Sequence, residues 1–398
     1  MPTRPLDGIT VLTLEHAIAA PFCTRQLADL GARVIKVERP GAGDFARAYD
    51  ERVHGLASHF VWTNRSKESL TLDVKQPQGR EVLQRLVARA DVLVQNLAPG
   101  AAARLGLSHE ALAPAHPRLI VCDISGYGDD PEHPGPYRDK KAYDLLIQSE
   151  SGFLSVTGTP DEMAKAGCSI ADISAGMVAH GNILAALLKR GKTGRGCRID
   201  VSMLESMVEW MSFPLYYAYD GASPPPRAGA AHATIYPYGP FLAGDGKTVM
   251  LGLQNEREWQ VFCAQVLGQP ALARDPRFAS NTLRTQAREA LGALIVEAFK
   301  PFTAEQIVQR LEAAQIANAQ ARAMQDVWAH PQLAARQRWT QVDTSAGAIA
   351  ALLPPGVPAA WQPRMDAVPA LGQHTEAILA ELGYGAQAIA ALREQKVV

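Results

Sequence analysis

The sequence predicts an α/β protein built on a mostly parallel sheet, and three observations carry that prediction. Short β-branched runs alternate with longer helical patterns through the first two hundred residues. The helical segments lie between successive strands, as βα units require. The composition, 47% hydrophobic and 20% charged, is that of a globular chain. At roughly 150 residues per domain, 398 residues exceed one core, and two domains are expected.

Taken in order, the strand candidates are Thr10–Leu14, residues 34–37, Val92–Gln95 and residues 119–124. Between the first two, Pro21 opens a helix that runs to Leu30, and Gly31 stands where a left-handed C-terminal cap belongs. Residues 78–90 carry Val82, Leu83, Leu86 and Val87 at helical spacing. A longer helix is expected over residues 174–190, with Met177, Ile183, Leu184, Leu187 and Leu188 on one face and Gly191 as terminator. A strand over residues 197–201 follows. Residues 204–219 are apolar and aromatic and end in Ser223-Pro224-Pro225-Pro226, the sharpest break in composition. That break places a large domain at 1–200 plus 330–398, a linker at 201–225 and a small domain at 226–325. In the small domain an Asp245-Gly246 turn precedes a strand at 249–253, and Thr303 with Gln306 forms a capping-box pattern. A short helix over 375–382 stops at Gly383.

Several function classes are excluded at this level. Lys and Arg total 39 against 40 Asp and Glu, and no basic block of five occurs, so no nucleic-acid partner is expected. The five cysteines include no C-x-x-C pair. Asp7 interrupts the N-terminus before an apolar run develops, and the longest continuous apolar stretches, such as residues 183–188, fall short of the ~20 residues of a membrane helix. No membrane association and a cytoplasmic location are the expectations. Glu38 ends the second strand where a dinucleotide enzyme would hold a ribose, but residues 15–21 contain no glycine for a pyrophosphate to approach. Nucleophile-elbow, phosphate-loop and zinc-helix motifs are absent as well.

Asp172 stands beside a helix start, where a carboxylate caps free N–H groups and meets the positive end of the dipole. The same surroundings are expected to keep it ionised, as covalent catalysis by aspartate requires. Both readings are open on local sequence.

The order of several segments makes a family resemblance visible: Pro5 to Ile9, residues 30–38, Leu72-Asp73-Val74-Lys75, Asn96, Lys141-Ala142-Tyr143-Asp144, Ser151-Gly152, Ile170-Ala171-Asp172 with Gly176-Met177, and residues 371–375. Together they resemble the family III CoA-transferases of CaiB/BaiF type, a group that includes α-methylacyl-CoA racemases. The resemblance implies a Rossmann-like large domain with a parallel sheet, a smaller α+β domain and an interlocked homodimer. It implies that Asp172 attacks an acyl-CoA to give an anhydride, that CoA thiolate returns to form an aspartyl-CoA thioester, and that an acceptor acid reverses both steps. CoA or acyl-CoA is then a substrate, with no metal and no nucleotide cofactor. The positions matching the family's CoA site are Ala17, Ile18, Ala19, Arg39, Leu72, Lys75, Asn96, Leu97, Ala98, Arg104, Lys141, Tyr143 and Asp144.

The racemases resemble one another in having His where this chain has Tyr143, and a phenol is a poor base at neutral pH, so transfer is the better reading. A glycine-rich loop of formyl-transferring relatives is replaced by Leu251-Gly252-Leu253-Gln254-Asn255-Glu256. Residues 231–241 resemble relatives acting on C4 and C5 dicarboxylates such as succinate, mesaconate, itaconate or citramalate. Arg227, His232 and Tyr238 are the substrate candidates there, beside the alternative of a rigid proline turn packing aromatics. Two alternatives stand: a racemase or intramolecular CoA-shifting isomerase, and a non-catalytic acyl-CoA-binding paralogue.

Overall fold

A computed structural model describes residues 4–398. It divides into a large unit, Met1–Gly152, Ala166–Met211 and Leu333–Val398, and a small unit, Phe153–Lys165 and Ser212–Gln332.

The large unit is built on six parallel strands: β1 (Thr10–Leu14), β2 (Arg33–Glu38), β3 (Lys67–Thr71), β4 (Val92–Gln95), β5 (Ile120–Ser125) and β6 (Arg198–Ser202). Their order is β3-β2-β1-β4-β5-β6. The chain therefore reverses its direction of travel across the sheet between β1 and β4, and the crevice beyond the carboxyl ends of those two strands is where this topology receives a ligand. Buried Val, Leu and Ile fill β1, β4 and β5, as strands covered on both faces demand.

Helix α1 (Ala19–Asp29) connects β1 to β2, and α2 (Pro77–Val87) connects β3 to β4. Helix α3 (Asp144–Glu150) precedes α4 (Ile170–Thr193), and α5 (Met203–Trp210) follows β6. At the C-terminus lie α6 (Thr375–Glu381) and α7 (Ala386–Glu394). Gly176 lets α4 approach α1: a Cβ there would lie 2.7 Å from the Ala19 carbonyl oxygen and 3.0 Å from Phe22 Cδ1.

Five expectations are corrected. The strand β3 was not expected, because its sequence, Lys67-Glu68-Ser69-Leu70-Thr71, lacks apolar alternation; its polar side chains are used in the interior. Helix α4 begins four residues earlier than expected, so Asp172 is the third residue of the helix rather than a residue before it. The helix also continues through Gly191 and ends at Gly194, whose φ of 72° supplies the left-handed cap. Residues 201–225 are not a linker, since β6 and α5 belong to the large unit and the division falls after Met211. Helix α4 is long and apolar enough by length and composition to cross a membrane, which contiguous runs did not reveal. Within the large unit its Ala171, Ala175, Ala179 and Ile183 are fully buried.

The C-terminal stretch covers the sheet's edge. Ser69 exchanges hydrogen bonds with His374, Ser69 N–H to Nδ1 at 3.1 Å and His374 N–H to the Ser69 carbonyl at 3.0 Å, and Thr375 Oγ1 accepts from Thr71 N–H at 3.0 Å. The motif at residues 371–375 thus occupies backbone groups that an open edge would expose.

The small unit carries an antiparallel sheet of β7 (Tyr238–Leu242), β8 (Thr248–Gly252) and β9 (Ala317–Gln320). Trp259, Phe262, Phe278 and Phe299 fill its core, and the Thr303–Gln306 capping box is formed.

Candidate active site

A cavity of about 1660 Å³ opens at the crevice beyond β1 and β4, and every lining residue belongs to the large unit. The loops after β1, β2 and β4 form much of it, joined by residues 140–144 and by the start of α4.

The loop after β1 is shaped by buried charge. Glu15 is fully buried, and its Oε1 accepts from Lys67 Nζ at 2.6 Å and from Lys36 Nζ at 3.4 Å. Its Oε2 accepts from Thr13 and Thr24 hydroxyls. Burial alone would raise the Glu15 pKa, but the two ammonium groups outweigh it and hold the carboxyl below its ordinary value. Lys36 also reaches Asp44 Oδ2 at 2.7 Å, and Asp44 Oδ1 accepts from Ala17 N–H at 3.1 Å. Ala17 adopts φ +61°, a left-handed conformation that favours glycine, and this bond helps hold it. Asn96 completes the loop by accepting from His16 N–H and donating to the His16 carbonyl, both at 2.9 Å. The polar residues that hid β3 from pattern recognition therefore fix the entry to α1.

Glu38 is spoken for. Asp44 N–H and Arg47 Nε donate to its Oε1, while Arg47 and the Ser69 hydroxyl donate to Oε2. A carboxylate engaged by four donors has no capacity left for a ribose, which removes the dinucleotide reading on structural grounds.

Asp172 lies where the first turns of α1 and α4 meet, and the Ala19 backbone hydrogen-bonds its carboxylate. Asp144 is the neighbouring acid: its Oδ1 accepts from Ala171 N–H at 2.8 Å and Asp172 N–H at 3.4 Å, and its Oδ2 accepts from Gln148 at 2.7 Å. Asp144, not Asp172, thus caps α4 through its side chain. Burial first, and the Asp144 charge second, push Asp172 up to about 7 against the lowering effect of the Ala19 bond. The expectation that the helix start simply keeps Asp172 ionised is corrected, because two helix ends do not compensate burial beside a second carboxylate. A carboxyl poised near neutrality in a cleft is a candidate functional group.

All thirteen expected CoA-site positions, Ala17, Ile18, Ala19, Arg39, Leu72, Lys75, Asn96, Leu97, Ala98, Arg104, Lys141, Tyr143 and Asp144, line the cavity together with Asp172. Tyr143 is exposed and precedes α3. Arg227, His232 and Tyr238 lie in the small unit. There Arg227 donates to the carbonyls of Thr159 and Pro160, and His232 stacks on Tyr238 with ring centroids 5.2 Å apart. Sequence reasoning missed His16, Phe45, Tyr49, His59, Arg80, Lys140 and Lys396, which also line the cavity. Tyr49 feels the site: burial, then the charges of Asp44 and Asp172, push its phenol up to about 12. Among the described residues no group of three or more His, Cys, Asp or Glu gathers as a metal site.

The profile of CoA-transferase family III matches residues 6–375. The chain belongs to CoA-transferase family III. Among relatives of this family III chain, a succinate–glutarate CoA-transferase of Agrobacterium fabrum is 33% identical, with 96% of this chain and 97% of that protein covered. An acetyl-CoA:oxalate CoA-transferase of Acetobacter aceti is 37% identical over 75% of each. A crystal structure of a CaiB/BaiF family protein from Brucella suis superposes with a TM-score of 0.83 at 34% identity, covering 96% of this chain and all of that one. In this family III member, the cavity at the sheet crevice and the motifs of residues 141–144 and 170–172 fall in one place.

Proposed function

We propose that this CoA-transferase carries CoA between carboxylic acids on Asp172, with dicarboxylates as the acids. The observation that carries the reading is Asp172 itself: a carboxyl poised at about 7, met by the Ala19 backbone, at the wall of a cavity whose other lining includes Arg39, Lys75, Arg80 and Arg104. CoA is an anion with a long neutral arm, and a cleft with cations and apolar walls suits both parts.

In the first step a carboxylate oxygen of Asp172 bonds to the thioester carbonyl carbon and the C–S bond breaks, giving a mixed anhydride and CoA thiolate. The thiolate attacks the aspartyl carbonyl, forms the Asp172 thioester and releases the first acid as its carboxylate. The acceptor carboxylate repeats the sequence in reverse. The positive ends of α1 and α4 favour the negative charge that builds on oxygen at each attack. Exclusion of water preserves both intermediates.

The relatives' names run from oxalate to glutarate, so both belong among the acceptors tested; the departure from a glycine-rich run at residues 251–256 favours the longer acids. Arg227, His232 and Tyr238 are retained as candidates for the acceptor's second carboxylate, and an interlocked homodimer as the assembly.

Incubation with succinyl-CoA, hydroxylamine trapping and mass measurement test the mechanism. A labile adduct on Asp172, and loss of at least about a thousandfold in transfer for Asp172→Ala, are expected. Transfer by Asp172→Ala at the parent rate would defeat the reading. Deuterium uptake at the α-carbon in heavy water, without exchange of CoA between acids, would support a racemase instead.

A further inference from the structure

The last turn of the chain brings a lysine to the lining of the cavity. Helix α7 ends in a paired closure: Val397 N–H donates to the Leu392 carbonyl and Lys396 N–H to the Arg393 carbonyl, both at 2.9 Å. In this motif the residue at the Lys396 position is left-handed, and glycine is its usual occupant. Here a lysine takes it, with φ +57°. The backbone around it is anchored: Val397 is fully buried, its carbonyl accepts from Asp73 N–H at 2.7 Å, and the Lys396 carbonyl accepts from Gln76 at 3.4 Å. Gln315 and Gln337 close two other helices in the same way, with φ 54° and 50°, so what sets Lys396 apart is where its anchored backbone places it.

Lys396 lines the cavity, as do Arg39, Lys75, Arg80 and Arg104. Among the described residues, none of these five cations pairs with a carboxylate, whereas the nearby Arg85 and Arg393 pair with Glu81 and Glu376. With Lys141, six cations without a carboxylate partner among the described residues line one cavity, against the carboxylates of Asp73, Asp144 and Asp172, an excess that favours an anionic ligand.

We propose that Lys396 is a binding residue for the phosphates of CoA, and that the docked C-terminus is therefore part of the nucleotide site. The inference rests on the reading that the cavity takes CoA. Lysine is suited to the task because its ammonium is a flexible point charge that meets a phosphate without a fixed approach.

The test uses the full chain and adenosine 3′,5′-bisphosphate, which carries the nucleotide phosphates without any acyl chemistry, followed by titration calorimetry. Lys396→Gly restores the residue the backbone prefers and removes the cation. It is expected to weaken the nucleotide about tenfold while leaving the unfolding temperature unchanged or raised; Lys396→Arg is expected to stay close to the parent. The KM for acyl-CoA should rise with kcat unchanged. Binding by Lys396→Gly within about twofold of the parent overturns the inference, as does weaker binding accompanied by a lowered unfolding temperature, since that would mark a structural role. If the parent binds no nucleotide, the CoA reading of the cavity fails as well; if the parent binds and the variant matches it, only Lys396 is misassigned.

Discussion

Replacing Asp172 by asparagine keeps the side-chain shape and removes the charge that burial and Asp144 penalise. The carboxyl moves from 3.8 to about 7 in the folded protein. At about 1.4 kcal/mol per pKa unit, that displacement is worth about 4 kcal/mol, which partial solvent access reduces to about 2 kcal/mol. The folded chain binds this proton more tightly than the unfolded chain, so the penalty is absent below the unfolded value, grows across the window, and is complete above about 7. Asp172→Asn should therefore be more stable than the parent by about 2 kcal/mol at about pH 8.5, and by roughly a third of that at about pH 5. Urea unfolding of ligand-free protein at the two pH values measures the difference. An equal effect at both, or a loss of stability at the higher pH, would refute the argument and return Asp172 to the role of a stabilising cap. A gain would mean that the site stores unfavourable energy in its carboxylate, the usual relation between a reactive group and the fold that holds it.

Two further outcomes follow from the packing around the site. Gly176→Ala drives a methyl to within 2.7 Å of the Ala19 carbonyl oxygen, a backbone atom that cannot swing aside; a loss of about 1–3 kcal/mol in unfolding free energy and a lower kcat are expected, because Ala19 also holds Asp172. Lys67→Met removes the closest cation from the buried Glu15 carboxylate and should destabilise the fold by about 3–5 kcal/mol in chemical denaturation. A change under about 1 kcal/mol would mean that Lys36 alone neutralises Glu15.

The sheet was legible wherever burial wrote itself as β-branched runs: β1 and β4 match their expected limits, and β2 and β5 differ by a residue or two. It was not legible at β3, where Lys67 and Ser69 point into a polar interior and so break the alternation on which strand recognition depends. The start of α4 was misplaced for a related reason. Its cap is the Asp144 side chain, 27 and 28 residues away in sequence from the N–H groups it accepts from, and no local pattern records a cap supplied from elsewhere. The cavity positions named from resemblance gather at one place, yet Lys396 escaped notice because a lysine near a chain end looks like any solvated charge. Its place on the cavity lining distinguishes it. The pKa of Asp172 was beyond reach because burial, its first cause, and the charge of the sequence-distant Asp144, its second, both come from tertiary packing.

The same geometry explains why a Rossmann-like order of strands serves a ligand without a glycine-rich turn. In dinucleotide enzymes the first helix of the sheet directs its free N–H groups at a pyrophosphate, and glycines admit that anion. Here the corresponding helix, α1, is approached by α4 through Gly176, and its first N–H meets the protein's own anion, Asp172. The position is filled, so phosphate has no place there and glycine has no function there. Ala17 can take the left-handed turn because Asp44 and Asn96 hold the loop from below. On the proposed reading, a nucleotide entering this cleft takes its countercharge elsewhere on the cavity, where Arg39, Lys75, Arg80, Arg104, Lys141 and Lys396 have no carboxylate partner among the described residues. On the proposed reading, keeping the phosphates off the helix end leaves that end free to steady the Asp172 carboxylate during attack.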